Sequence, residues 1–321
     1  MPILIMVITM IIRLGYACIC TSLEGVTTSS NYTYTDFNKN NNFDKLDKVI
    51  ISNLENLIKI LEFNHKNNVH FYRISSKLIP LATHNKVVFD YLNKYKNYYD
   101  KISRIINNSN MRIDMHPSTY CILNSTRKEV VDNTIEILKY HYNIQSYMNI
   151  KNKLIIIHIG SNTFGKTNSL SRFINNFNKL PDYLKEVIAI ENDDKVFTID
   201  DCLYLAEKLK IKVILDYHHF ICNNTGKDIT NYLDRIFATW KKQTPKFHFS
   251  SPKNKKEYRT HNDYINPEEF IKFLSILKKY NYNNIDIMLE AKAKDEALFR
   301  LIRQLKYKTN YNFIDSTTFK I

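Results

Sequence analysis

The chain has 321 residues, 44% of them apolar, and only 5 glycines and 7 prolines, which excludes a disordered or low-complexity protein and allows one large domain or two ordinary ones. Lys and Arg number 46 against 32 Asp and Glu, a formal net charge of +14, which favours a polyanionic partner such as nucleic acid, although abundant Asn, Lys, Ile and Tyr mark a compositional bias that inflates lysine without function. The five cysteines, Cys18, Cys20, Cys121, Cys202 and Cys222, are odd in number and form no Cys-x-x-Cys pair, so a disulfide framework or zinc ribbon is not expected and a reducing compartment is the default.

The apolar start, MPILIMVITMII, is too short to span a bilayer and lacks the basic head and small-residue cleavage site of a secretory signal. Residues 1–10 therefore read as a variable extension. The protein is expected inside the cell, in cytoplasm or nucleus with its substrate, neither secreted nor in a membrane.

Short β-rich runs then alternate with helical periodicity. The first strand is IIRLGYACI (11–19). A polar loop follows, then a helix in which Leu46, Val49, Ile50, Leu57, Ile60 and Leu61 recur at three and four. Strand two is 69–75, with a helix over 86–108; strand three is 110–117, stopped by Pro117, with a helix over 128–147. Strand four (153–160) precedes helices near 169–179 and up to 185; strand five (186–193) precedes a helix over 199–210, acidic at its start and basic at its end, which suits the helix dipole. Strand six is 211–217, with a helix near 229–241; strand seven is 246–251, then a basic loop and a helix over 267–280. Strand eight is 285–292, and a last helix runs over 295–307. The tail, 308–321, shows no clear pattern.

Eight strand–helix units in about 300 residues predict a single-domain α/β fold, a (β/α)8 TIM barrel over 11–307. A doubly wound open sheet would want a glycine-rich phosphate turn after its first strand, which this chain lacks. Residues 160–167, GSNTFGKT, resemble a phosphate-binding loop in letters, but no acidic nucleotide-site strand pairs with them, and ATP binding is not expected.

The strand ends carry the chemistry. Tyr16 closes strand one, His84 follows strand two, and His116, His158 and Glu191 end strands three to five. Asp216 and His219 end strand six, Lys246 and His248 lie on strand seven with His261 in the next loop, and Glu290 ends strand eight. In a barrel these ends converge on one rim. So many titratable groups would not share one cavity without a compensating ligand, and metal ions supply one. Imidazole with carboxylate suits Zn2+ or Mn2+ rather than Ca2+, and the donors suffice for two or three ions. Such clusters clamp both the attacking and the leaving oxygen of a phosphodiester.

RLGYACI, LIPLATH, MRIDMHPSTY, LIIIHIG, AIEND, ILDYHH, TPKFHFSS and MLEAKAKDEAL, in this order from about Arg13 to Leu298, resemble the UV damage endonuclease family, related in fold to endonuclease IV. The resemblance implies three divalent ions, Mn2+ first with Zn2+ or Mg2+ as alternatives. It also implies incision of double-stranded DNA immediately 5′ to a UV photoproduct, leaving a 3′-hydroxyl and a 5′-phosphate. Carried over by position, the metal ligands are His116, His158, Glu191, Asp216, His219, His248, His261 and Glu290, with Glu191 bridging two ions. His84 matches a site histidine, and Lys246 a lysine that can be carboxylated beside the metals. Lys246 and His248 stand two apart on a strand and so share one face, which supports the carry-over independently.

Two positions depart from the family. Thr119 and Tyr120 stand where Gln-Tyr is usual, at residues thought to wedge into the duplex, and Cys20 stands where an Asn could face DNA. Tyr16, Tyr120, Lys166, Lys253, Lys255, Lys256 and Arg259 are expected at the rim as DNA contacts, aromatics beside basic residues suiting an unstacked strand. A monomer without an obligate protein partner is expected. The competing readings are an abasic-site endonuclease on the same barrel, a metal-dependent sugar isomerase, which needs neither basic groove nor protruding tyrosine, and a catalytically dead DNA-binding relic.

Overall fold

Alternation within each strand decides the architecture. On β1 (Ile11–Ala17), Ile12, Leu14 and Tyr16 are buried beneath the surrounding helices, while Arg13, Gly15 and Ala17 face the other way. A computed structural model describes residues 9–40, 42–280 and 282–321; residues 1–8, most of the expected N-terminal extension, lie outside the described residues. After β1 come α1 (Tyr34–Asn40), α2 (Phe43–Lys66), β2 (Phe71–Ile74), α3 (Tyr91–Lys94), α4 (Lys96–Asn108), β3 (Arg112–Met115), α5 (Lys128–Tyr147) and β4 (Ile155–His158). The second half runs α6 (Lys166–Asn178), α7 (Asp182–Lys185), β5 (Ile188–Glu191), α8 (Ile199–Leu209), β6 (Lys212–Asp216), α9 (Tyr217–Cys222), α10 (Leu233–Trp240), β7 (Lys246–Phe249), α11 (Pro267–Leu277), β8 (Asn284–Leu289) and α12 (Lys294–Lys308). Strands β1 to β8 pair in parallel in sequence order, and β8 returns to β1 over Ile11–Tyr16, closing a (β/α)8 TIM barrel.

The barrel is filled. At its lower end Arg13 grips Asp286 with two bonds of 2.6 and 2.8 Å, and Arg112 reaches the same carboxylate at 2.6 Å. Above lie two apolar groups, Leu154, Ile156, Ala189, Ile214 and Trp240, and Ala17, Phe71 and Met288. Gly15 is obligatory here, because an added Cβ would sit 2.3 Å from the Phe71 carbonyl oxygen. Outside the barrel, α2 buries Leu46, Ile50, Leu54, Leu57, Ile60 and Leu61 along one face, and Asn42 caps its start by accepting from Lys45 N at 2.9 Å.

Four features depart from the pattern expected. The loop after β1 contains α1. The helix expected over 86–108 restarts at Tyr95, splitting into α3 and α4. Six residues beyond β6 form α9, capped by Asp216, whose Oδ1 accepts from His219 N at 2.8 Å. The tail, expected without pattern, forms β9 (Asn312–Phe313) and β10 (Thr318–Lys320). β10 lies antiparallel to Ile11–Arg13, on the lower half of a strand whose upper end meets β2. No described helix is long and apolar enough to cross a membrane, and all five cysteines are unpaired.

Candidate metal centre

The closed parallel barrel carries eight strand ends to one rim, and seven of the eight expected ligands sit at or within a few residues of them. His158, Glu191 and Asp216 are the last residues of β4, β5 and β6; His116 and Glu290 follow β3 and β8 directly; His248 lies in β7 and His219 in α9. His261 comes from the β7–α11 loop, held by a bridge to Pro252.

Two donor groups meet here. His116, His158 and Glu191 offer ligand atoms all within 4.8 Å of one another, and so do Glu191, Asp216, His248 and Glu290. Glu191 belongs to both, with Oε2 3.1 Å from His116 Nε2 and Oε1 2.8 Å from His248 Nδ1. His219 Nδ1 lies 3.7 Å from Glu191 and 3.8 Å from Asp216, and the His219 and His261 rings are 5.9 Å apart. Backbone carbonyls orient the imidazoles: Pro117 O takes the bond of His116 Nδ1, Asn192 O that of His219 and Glu290 O that of His261. Each therefore turns Nε2 away from its carbonyl; that of His116 faces Glu191 Oε2.

This set fits divalent ions on its own terms. His158 Nδ1 and Asp216 Oδ2 are buried and have no hydrogen-bond partner among the described residues, a condition that costs about 1–3 kcal/mol for each group left so. Mixed imidazole and carboxylate donors are the chemistry of Zn2+ and Mn2+. Burial opposes ionisation of Glu191, but His248, His158 and the bond from His116 outweigh it and hold the carboxyl well below the ordinary range. For His219 burial favours the neutral ring, yet Asp216, Glu191 and Glu290 raise its pKa to about 9. Without ions, the proton that His219 retains offsets part of this carboxylate charge, and ion binding at that ring would displace it.

Three residues that the sequence reading missed organise the cluster. Arg73 on β2 is buried; its Nε donates to Asp114 at 2.9 Å, Nη1 to Glu290 at 2.7 Å and Nη2 to His248 Nε2 at 2.7 Å. Asp114 also pairs with Lys246, and both are fully buried. Burial pushes the Lys246 amine down to about 7 against the pull of Asp114. Asn192 clasps the Asp216 backbone, accepting from its N at 2.9 Å and donating to its O at 3.0 Å. A signal existed for the first two. Each is a charge at the inward period of two on its strand: Arg73 two after Phe71, Asp114 midway between Arg112 and His116.

Other placements correct the expectation. Tyr16 is not on a rim loop: it is buried on β1, its hydroxyl donating to Asn64 on α2 at 2.6 Å. Cys20 is buried beside it, so no group at that position faces DNA. His84 stacks on Tyr34 at 4.0 Å, outside both donor groups. Lys166 begins α6 and pairs with Asp201 at 2.8 Å. Lys253 pairs with Glu257 at 2.6 Å, and Arg259 Nε donates to Asp194 O at 3.0 Å. Thr119, Tyr120, Lys255 and Lys256 are exposed. Of the adjacent histidines in α9, His219 turns toward Glu191 and Asp216, while His218 packs against His261 and Tyr258. The GSNTFGKT loop is no phosphate cradle: its Ser161, Thr163 and Gly165 N–H groups are spent on Asn124 Oδ1, Ser161 Oγ and Asn162 O.

Comparison with known proteins gives the family and the fold. The profile of the family described as UV-endonuclease UvdE matches residues 12–319. A UV DNA damage endonuclease of Bacillus mycoides (strain KBAB4) is 38% identical over 315 residues, covering 96% of this chain and 99% of the relative. Among solved structures, SacUVDE superposes with a TM-score of 0.84 at 36% identity, covering 92% of this chain and 99% of that one. Endonuclease IV from Thermus thermophilus superposes at 0.57 with 12% identity, over 92% of this chain and 100% of that one, a likeness of fold alone.

Proposed function

The chain belongs to the UV-endonuclease UvdE family, and from that premise we propose that it is a metal-dependent endonuclease acting on double-stranded DNA at UV photoproducts. It hydrolyses the phosphodiester immediately 5′ to the lesion and leaves a 3′-hydroxyl and a 5′-phosphate. The observation that carries the metal dependence is Glu191, a buried carboxylate common to two donor groups at the mouth of the barrel. His116, His158, Glu191, Asp216, His219, His248, His261 and Glu290 would hold three divalent ions, Mn2+ first. Bound there, such ions supply Lewis-acid stabilisation of the charge that gathers on a phosphodiester during hydrolysis.

The chain's own residues do the rest. Arg73 fixes Glu290 and His248 through one rigid guanidinium, so these donors are positioned before substrate arrives. Lys246, beside His248 and facing Asp114, acts at the inner edge of the centre, as a cation or, carboxylated, as a further ligand. Tyr120 stands in the loop after His116, 86% exposed. From there its ring can fill the gap left when two crosslinked pyrimidines leave the stack, with Thr119 beside it as a shorter companion than the family's usual glutamine.

The test is incision of a duplex carrying one cyclobutane dimer, its undamaged twin and an abasic duplex, each with Mn2+ or with chelator. The reading predicts a single cut 5′ to the dimer, abolished by chelator. Cutting of the abasic duplex alone would favour the abasic-site endonuclease, and chelator-resistant cutting would remove the metal centre.

A further inference from the structure

Phe164 is held in a conformation that its own chemistry opposes. Its φ is +62°, in the left-handed region that bulky side chains avoid, yet the residue is 75% exposed. The ring joins no core cluster among the described residues, so packing does not account for the strain. The loop around it is built with care. Asn124, buried, donates to Ser161 O at 2.7 Å and accepts from Ser161 N at 2.9 Å. Arg172 Nε donates to Asn124 O at 2.8 Å, Ser169 Oγ to Thr163 O at 3.2 Å and Asn168 Nδ2 to Phe164 O at 2.8 Å. Gly160, at φ +113°, makes the close approach possible, since a Cβ there would lie 2.5 Å from Asn124 Oδ1. Asn124 is four residues from Tyr120, and Phe164 is six from His158. These ties fasten the loops after β3 and β4 to each other on the rim that bears the donor groups.

Strain sustained by an over-determined loop, with an exposed aromatic residue in the loop that follows His158, points to a ligand rather than to folding. We propose that Phe164 is a second base-stacking contact for the DNA substrate, paired with Tyr120 across the β3–β4 seam and specific for unstacked bases at the lesion. The inference rests on the reading of function above. An aromatic face binds a base only where that base has lost a neighbour. Phe164 should therefore add affinity for a distorted duplex and little for an intact one. The segment whose letters resemble a nucleotide-binding loop would then owe its glycines to presenting this ring.

The experiment measures Kd for the dimer-containing duplex and its undamaged twin, incision at saturating DNA, and the thermal midpoint of each protein. The variants are Phe164→Ala, Phe164→Tyr and Phe164→Asn. Asn tolerates the left-handed region, so it should keep or raise the thermal midpoint while losing the stacking face. The expected result is about tenfold weaker binding of the damaged duplex by the Ala and Asn variants. Binding of the intact duplex and the saturated incision rate should stay near the parent's, and Tyr should restore binding. Parent-like affinity of Phe164→Ala for the damaged duplex would overturn the proposal. So would a thermal midpoint that falls in Phe164→Asn, which would assign the ring to folding. The parent's own incision of the dimer duplex tests the reading of function separately, so the two failures are distinguishable.

Discussion

Glu191 takes His116 on one oxygen and His248 on the other, and no other described residue belongs to both donor groups. Neutralising it should remove the centre and leave the barrel. Glu191→Gln keeps the shape and the apolar floor beneath, so it is expected to fold, with unchanged circular dichroism, and to lose incision by at least about two decades, the scale of a lost electrostatic contact in catalysis. An active Glu191→Gln protein would show that the shared carboxylate is dispensable. Lys246 gives a second test at this scale. Its amine is fully buried between Asp114 and the Phe71 ring, so Lys246→Ala should lose far more incision than Lys279→Ala, at a surface position. Equal activities would take Lys246 out of the site. Tyr16 now belongs to a different experiment: Tyr16→Phe loses the bond to Asn64 and should cost about 1 kcal/mol of stability with little effect on binding of damaged DNA.

At the scale of elements, the eight strands and most helices were legible because each obeys a local period: two for the half-turned strands, three and four for the helices. What failed to show is non-local or too short for a period. α9 has six residues and is decided by the Asp216 cap; its consequence is that the His219 ring turns back to within 3.8 Å of the Asp216 carboxylate. Arg73 and Asp114 were overlooked because their meaning depends on strands brought together by closure. The tail lacks a readable period because its strands are short and the partners that anchor it, on β1 and at His70, lie at the far end of the chain. β10 pairs with β1, and Asp315 accepts from Thr317 N and Thr318 N at 2.8 Å each and meets His70 Nε2 at 2.9 Å. Partial burial works against the Asp315 carboxylate, but His70 and these backbone donors hold its pKa below the ordinary value. A depressed carboxyl pKa stabilises the fold above the unfolded value near pH 4, and the contribution disappears as pH falls through the folded one. Asp315→Ala should therefore lower stability by about 2 kcal/mol near neutrality, the net worth of a few hydrogen bonds, and the difference from the parent should shrink on acidification below about pH 4. Equal denaturant midpoints at pH 7 would show that the tail is not part of the folded unit.

For the molecule as a whole, the net charge of +14 exaggerates what the rim offers to DNA. Lys166, Lys253 and Arg259 are each engaged with an acidic residue or its backbone, while Lys255 and Lys256 form no ion pair among the described residues. Backbone phosphate contacts carry no lesion information. Lys255→Ala with Lys256→Ala should weaken damaged and intact duplex alike and flatten the salt dependence of binding by about one unit of slope per lysine. A loss confined to damaged DNA would contradict that assignment. The buried His and carboxylate cluster at the strand ends is the feature on which the proposed activity depends, and its most direct test is the metal content of the purified protein. Elemental analysis after purification without chelator should return two to three divalent ions per parent chain, and fewer in Glu191→Gln. One ion or none in the parent would contradict it.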